Sequence, residues 1–156
     1  MTYKKIYHKN PEACTGCMVC GLVCSLRFEK NGINPERSAI KIINDPEKGI
    51  FTPNVCIQCD DAPCIEACSS GALSKDPGTG AIVVDGEDCT GCELCVDSCK
   101  FDAIFMHPEL KIARICDLCK GEPLCVKYCM QEALLFVSLK DYGRKTGEKI
   151  KKMSYA

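Results

Sequence analysis

Cys89-Thr90-Gly91-Cys92-Glu93-Leu94-Cys95-Val96-Asp97-Ser98-Cys99 places four cysteines at i, i+3, i+6 and i+10. Three thiolates at short, even spacing can fold around one iron–sulfur cube, each meeting a different iron. The fourth sits one helical turn past the third, where it can reach a second cube. Zinc is a poorer match, because structural zinc sites usually combine two separated Cys pairs.

The rest of the chain repeats this stretch. Its sixteen cysteines divide without remainder into four quartets. The first is Cys14, Cys17, Cys20 and Cys24, and the second is Cys56, Cys59, Cys64 and Cys68. The third is the stretch just quoted, with Cys89, Cys92, Cys95 and Cys99, and the fourth is Cys116, Cys119, Cys125 and Cys129. No quartet has a replaced ligand, which favours [4Fe-4S] over [3Fe-4S] clusters and predicts four of them. Quartets one and three share Cys-Thr-Gly-Cys-x2-Cys-x3-Cys, whereas two and four carry a longer, Pro-containing middle loop, Asp60 to Pro63 and Lys120 to Leu124. Quartets two, three and four are followed at one offset by Ala72-Leu73, Ala103-Ile104 and Ala133-Leu134. The order short, long, short, long reads as two copies of a half.

Length and composition bound the alternatives. At 156 residues the chain suits one compact domain or two very small ones. So many cysteines would form a disulfide scaffold in a secreted chain. The start, Met1 to His8, shows no apolar signal-peptide core, so the expectation is a reducing, cytoplasmic setting. No apolar run approaches the ~18 residues of a spanning helix, so membrane insertion is not expected. The formal net charge of −1 excludes iron. Each oxidised cube with its thiolates adds negative charge, and four would bring the total to roughly −9. That argues against nucleic acid and for a basic docking surface on a partner. With 6% aromatic residues and no Trp the apolar core is thin, so bound metal must supply much of the folding free energy.

Extended segments are expected at Tyr3–His8, Ala81–Asp85 and Ile112–Ile115, and at Ile40 to Ile43. Helical turns are expected at Cys20–Cys24, Cys64–Cys68, Cys95–Cys99 and Cys125–Cys129, where i, i+4 spacing puts both thiols on one face. If the members of each pair serve different cubes, the turn holds two clusters close, as electron tunnelling requires. Gly16 and Gly91 lie inside ligand loops, where a missing Cβ lets backbone N–H groups approach cluster sulfur. The insertion Ser25–Val55 reads as a partner-contacting loop or as a cover over cluster one. Leu134 to Val137 are expected to pack on the cluster core. Lys140, Arg144, Lys145, Lys149, Lys151 and Lys152 form a basic tail, read as a solvated terminus or as a dock for an acidic partner. His8 and His107 read as surface or packing residues.

The segment Gly71 to Asp85 reads as strand, Gly/Pro turn, strand, and resembles the centre of a bacterial two-cluster ferredoxin. The resemblance pairs quartets two and three as an inner module, about 54–110, and one and four as an outer module, about 1–24 plus 111–137. The segments 25–53 and 138–156 are then an inserted loop and a tail. One cluster would use Cys56, Cys59, Cys64 and Cys99, and its neighbour Cys89, Cys92, Cys95 and Cys68. The outer clusters would use Cys14, Cys17, Cys20 and Cys129, and Cys116, Cys119, Cys125 and Cys24. Pairing by halves, one with two and three with four, is the alternative.

Across residues 10 to 137 the chain resembles the four-cluster, ferredoxin-like subunits of molybdenum and tungsten oxidoreductases of the dimethyl sulfoxide reductase type. Cys-Thr-Gly-Cys-x2-Cys-x3-Cys-Ser followed by Asn34-Pro35-x2-Ser38-x-Ile40 is most similar to the small subunits of tungsten-dependent aldehyde oxidoreductases. The resemblance implies an α+β fold of two ferredoxin modules related by a pseudo-twofold axis. It also implies a line of cubes between a large tungsten- or molybdenum-containing catalytic subunit and a redox partner, a flavin subunit or a ferredoxin. One departure is that no Pro follows any fourth cysteine, where Ser25, Ser69, Lys100 and Met130 stand instead. This puts the exit from each helical turn in doubt. The chain carries no nucleophile–base pair, second metal constellation or Rossmann-type loop, so a non-catalytic role is expected. Alternatives are a free polyferredoxin, a subunit serving a hydrogenase or carbon monoxide dehydrogenase, a self-associating wire and a zinc interaction module.

Overall fold

The computed structural model describes residues 3–9, 11–29, 32–138 and 140–141. β-Branched and aromatic residues flanking each quartet form four antiparallel two-stranded ladders. β1 (Lys5–His8) pairs with β8 (Leu134–Val137), and β2 (Ile40–Asp45) with β3 (Ile50–Val55). β4 (Leu73–Lys75) pairs with β5 (Ile82–Val84), and β6 (Phe105–Met106) with β7 (Ala113–Arg114). One strand of each ladder feeds a cysteine loop: β3 leads into Cys56, β5 into Cys89, β7 into Cys116 and β1 into Cys14. Each loop then enters a helix: α1 (Val19–Phe28), α2 (Pro63–Glu66), α3 (Leu94–Asp97) or α4 (Leu124–Lys127). The chain is therefore four copies of ladder, cysteine loop and helix. In the copy built on β1 and β8 the two strands come from opposite flanks of the sequence. This is an α+β fold of ferredoxin-like modules.

A ladder of two short strands is marginal by itself, so each must bury its inner face. Ile6, Ile40 and Ile82 are each 1% exposed, and with Ala39, Ala81, Ala103 and Ala113 they pack around the buried cysteines. Each such Ile contributes about 1.5–3 kcal/mol of burial.

Three of the four helices are single turns, as expected. α2, α3 and α4 stop within four residues, and the residue three past the fourth cysteine takes a left-handed backbone: Gly71, Asp102 and Glu132 at φ +74°, +46° and +48°. That reversal replaces the missing Pro as the exit. α1 behaves differently and runs for ten residues through Cys24 to Phe28. Nothing in Leu22-Val23-Cys24-Ser25-Leu26-Arg27 breaks a helix, and the buried Ser25 hydroxyl donates to the Leu22 carbonyl at 2.8 Å.

The segment expected as an inserted loop is mostly regular structure. It holds the second half of α1, a 3-10 turn at Pro35–Arg37 and the β2–β3 hairpin. Asn34 caps the turn by accepting from the Glu36 N–H at 3.0 Å. Pro53 is tolerated because a two-stranded ladder leaves one edge of β3 unpaired. Leu134 to Val137, expected as core packing, are the strand β8, with Leu134 and Val137 buried. Among the described residues no helix is long and apolar enough to cross a membrane. Of the basic tail, Lys140 is described and exposed, whereas Arg144, Lys145, Lys149, Lys151 and Lys152 lie outside the described residues.

Candidate metal centre

The third residue of every Cys-x2-Cys loop has a left-handed backbone: Gly16 at φ +71°, Gln58 at +55°, Gly91 at +70° and Leu118 at +54°. Reversals of this kind turn successive N–H groups inward and make a concavity suited to an anion, as iron–sulfur sites use. At both glycines the space is also taken. A Cβ on Gly91 would stand 2.4 Å from the Lys111 carbonyl oxygen, and one on Gly16 would stand 2.6 Å from the Phe51 ring.

Two sets of four thiols, each drawing three cysteines from one quartet and one from another, line cavities. Cys68, Cys89, Cys92 and Cys95 line one cavity, with Ser70, Leu73 and Met106. Cys24, Cys116, Cys119 and Cys125 line a second, with Phe28, Ile40 and Val55. Burial, then the charges of Cys14, Cys17 and Cys129, push the Cys20 thiol up to about 12. Cys56 is likewise pushed up to about 12 by burial and by Cys59, Cys64 and Cys99. Burial also pushes Cys24 and Cys95 up to about 11 and lifts Cys116 and Cys125 well above the ordinary thiol value. Cys68 goes the other way. Burial pushes it up, but the Ser70 hydroxyl and the N–H groups of Leu73, Ala72 and Ser70 outweigh that and hold it below its usual value.

Crowded thiols that resist ionisation need a cation to take the place of their protons. Among the described residues, no group of three or more Cys, His, Asp or Glu closes on a single-ion position. Two of the cysteine sets line cavities with mostly apolar neighbours. Together with the inward-turned loops, that donor set fits a multi-iron, sulfide-containing cube.

Backbone N–H groups reach the sulfurs in a repeated pattern. Ala103 N donates to Cys99 Sγ at 3.4 Å and Ala133 N to Cys129 Sγ at 3.3 Å, in each case four residues on. Quartet one does the same with Ala39, whose N lies 3.3 Å from Cys24 Sγ although fifteen residues separate them. Ala39-Ile40 is thus the fourth copy of the Ala-Leu/Ile pair that follows the other quartets, displaced by the chain that runs through α1 and the 3-10 turn. The insertion covers the cavity of Cys24 and Cys116 with Phe28, Ala39 and Ile40, while Phe51 of its hairpin lies over the quartet-one loop.

Two polar features of the site carry no local signature. Gln58, 2% exposed, donates from Nε2 to the Cys116 carbonyl at 2.6 Å and accepts from the Ile82 N–H at 2.7 Å. Glu29, past the end of α1, accepts from Arg37 at 3.2 Å, Arg114 at 3.1 Å and His107 Nε2 at 3.2 Å. His107 is 1% exposed, and its Nδ1 accepts from the N–H groups of Glu109 and Leu110. It is a packing histidine within a polar cluster. Arg37 also pairs with Glu109, and Arg114 stacks on Phe28 with 4.5 Å to the ring centroid. Spacing could not reveal this cluster, because its members lie up to 85 residues apart.

Residues 47–139, which hold three of the four quartets, match the 4Fe-4S dicluster domain family. The polyferredoxin-like subunit of an aliphatic sulfonate oxidoreductase from Pyrococcus furiosus is 42% identical over 119 residues, covering 76% of this chain and 68% of that protein. Protein NrfC of Escherichia coli K12 is 34% identical over 143 residues, and there the chain spans 62% of the relative's length. Among solved structures, a chain of the BamBC active site complex of benzoyl coenzyme A reductase superposes with a TM-score of 0.50 at 26% identity, over 86% of this chain and 78% of that one. Matched cysteine loops, thiol-lined cavities and identity across most of the chain agree, and the protein belongs to the 4Fe-4S dicluster domain family of ferredoxin-like iron–sulfur proteins.

Proposed function

We propose that the chain is a non-catalytic electron-transfer subunit that carries single electrons through four [4Fe-4S] clusters between a tungsten- or molybdenum-dependent catalytic subunit and a redox partner. The single observation that carries this reading is the serial arrangement of the thiol groups. The α2 turn packs on α3, the Gln58 side chain joins the Cys56 loop to Cys116, and α1 packs on α4. With the ligand sets that the resemblance implies, these contacts support the order Cys68/89/92/95, Cys56/59/64/99, Cys24/116/119/125 and Cys14/17/20/129. Cys92 and Cys17, the two exposed cysteines, fall in the first and last groups, while Cys56 and Cys116 are buried in the middle. Such a line has two open ends and an insulated centre.

Each cube supplies a one-electron store whose potential responds to hydrogen bonds, burial and charge. The residues of the chain do the rest. The alanine N–H groups at positions 39, 103 and 133 favour added negative charge on sulfur. Arg114 and Arg27 stand near Cys24 and Cys119 respectively, where each counters that charge. The α2, α3 and α4 turns fix the distance from one centre to the next. Resemblance to tungsten-dependent aldehyde oxidoreductase small subunits supports the choice of partner, and the name of one relative, a polyferredoxin-like subunit of an oxidoreductase, supports a role as the subunit of a larger complex.

Anaerobic pull-down from the native host, with metal analysis of what is retained, tests the reading. The expected result is a large subunit carrying tungsten or molybdenum, together with iron and labile sulfide near sixteen each per chain, as four cubes require. A chain that always purifies alone favours a free polyferredoxin, and colourless, iron-free material from oxygen-free preparation refutes both.

A further inference from the structure

The third position of the Cys-x2-Cys loops is glycine in both short quartets, Leu118 in one long quartet and Gln58 in the other. Leu118, 1% exposed, shows that an apolar side chain satisfies the packing there. An amide buried in the same position is destabilising unless both of its ends are paired. Gln58 meets that condition with one bond inside its own module and one that reaches out of it. Its Nε2 donates to the carbonyl of Cys116 at 2.6 Å and its Oε1 accepts from the N–H of Ile82 at 2.7 Å. Its own backbone N–H points at Cys56 Sγ at 3.5 Å.

Cys56 and Cys116 belong to different thiol groups, the two in the middle of the line. A continuous route runs from Cys56 sulfur across the Gln58 N–H, along the Gln58 side chain, over the hydrogen bond to the Cys116 carbonyl and down to the Cys116 sulfur. Electron tunnelling decays less steeply through covalent and hydrogen bonds than across van der Waals gaps. The junction between modules is also where the repeat supplies no helical turn, since the turns join sites within a module. Gln58 stands at that junction.

We propose that Gln58 is the positioning residue that couples the two modules, its amide fixing the spacing of the Cys56 and Cys116 loops and carrying the hydrogen-bonded route between the centres they serve. One electron leaves the centre on one side as it enters the centre on the other, so one is oxidised and one reduced; no bond breaks and no proton moves. The assignment rests on the four-cluster reading above.

The test uses the full chain, purified and loaded anaerobically. Gln58→Leu copies the residue at 118, and Gln58→Met keeps the side-chain length without the amide. For each variant, iron and labile sulfide are counted, the spin–spin splitting in the EPR spectrum of the reduced protein is recorded, and the internal redistribution of electrons after pulse radiolysis is timed. The expected result is a wild-type complement of iron and sulfide, weaker splitting and a severalfold slower redistribution in both. Wild-type redistribution and splitting in a fully loaded variant overturn the proposal. So does loss of iron in both variants, which makes Gln58 a folding residue alone. Far fewer than about sixteen iron per chain in the unmodified protein would instead overturn the four-cluster reading, and this proposal with it.

Discussion

Gly91→Ala separates two costs that a loop glycine can carry. Gly91 stands at φ +70°, and alanine there costs about 1–2 kcal/mol for the left-handed backbone alone. The added methyl would also stand 2.4 Å from the Lys111 carbonyl oxygen. That oxygen cannot swing aside as a side chain could. It belongs to the turn closed by the Lys111 N–H on the His107 carbonyl at 3.1 Å, and His107 is tied to Glu29. Overpacking against such a fixed group costs about 1–3 kcal/mol more, for about 2–5 kcal/mol altogether. Gly16→Ala supplies the contrast, because it has φ +71° but faces the ring of Phe51 at 2.6 Å, a half-buried side chain on β3 that can rotate away. Its cost stays near the backbone cost of about 1–2 kcal/mol. With an m value of about 4 kcal/mol/M in guanidinium, Gly91→Ala lowers the midpoint by roughly 0.5–1.2 M and Gly16→Ala by roughly 0.3–0.5 M. Anaerobic titration of the loaded protein, followed by visible absorbance and far-UV circular dichroism, reads both. A Gly16→Ala loss equal to or larger than that of Gly91→Ala would refute the reasoning.

Glu29→Ala leaves Arg37, Arg114 and His107 facing one another without their shared carboxylate, at a cost of about 3 kcal/mol; thermal unfolding of the loaded variant should show it, and an unchanged midpoint would show that solvent already screens the cluster. Burial holds the His8 imidazole below its ordinary value of 6.5 although the Pro53 carbonyl opposes this. The unfolded ring therefore binds its proton first, so this contribution to stability is complete above pH 6.5 and is lost as pH falls through the lower folded value. Midpoints at about pH 7.5 and 5.5 should differ less for His8→Asn than for the parent, and parallel losses would refute the link. Stripping iron with a chelator and an oxidant should remove far-UV structure along with colour, because thiols that burial holds near 11 to 12 have lost the cation that let them ionise. A metal-free chain with full strand signal would contradict that.

The local parts of the fold were legible because their signals are local. Cys-x2-Cys spacing, the Asp76-Pro77-Gly78 turn between β4 and β5, and the i, i+4 cysteines each lie within a few residues. The proposed mixed composition of the clusters comes from resemblance to a ferredoxin, not from spacing, which leaves pairing by halves open. What stayed hidden depends on tertiary partners. Ala39-Ile40 escaped notice as the fourth copy because it stands fifteen residues from Cys24, where its sisters stand four residues away. Glu29, Arg37, Arg114 and His107 each look like surface residues until α1 and the β6–β7 ladder bring them together. Gln58 reads as a polar loop residue, and its burial follows from Cys116 and Ile82 closing over it.

The placement of Ala39 has an engineering consequence. Between Cys24 and Ala39 the chain makes a long detour, yet it returns to give sulfur the same amide that its sisters receive directly. That joint is a socket at which length and sequence can be exchanged while the iron-facing chemistry stays as it was. A transplanted segment would have to meet two demands: deliver an alanine N–H to Cys24, and offer Arg114 and His107 a carboxylate in place of Glu29. Under those terms the same electron-carrying body could be fitted with surfaces for different enzymes.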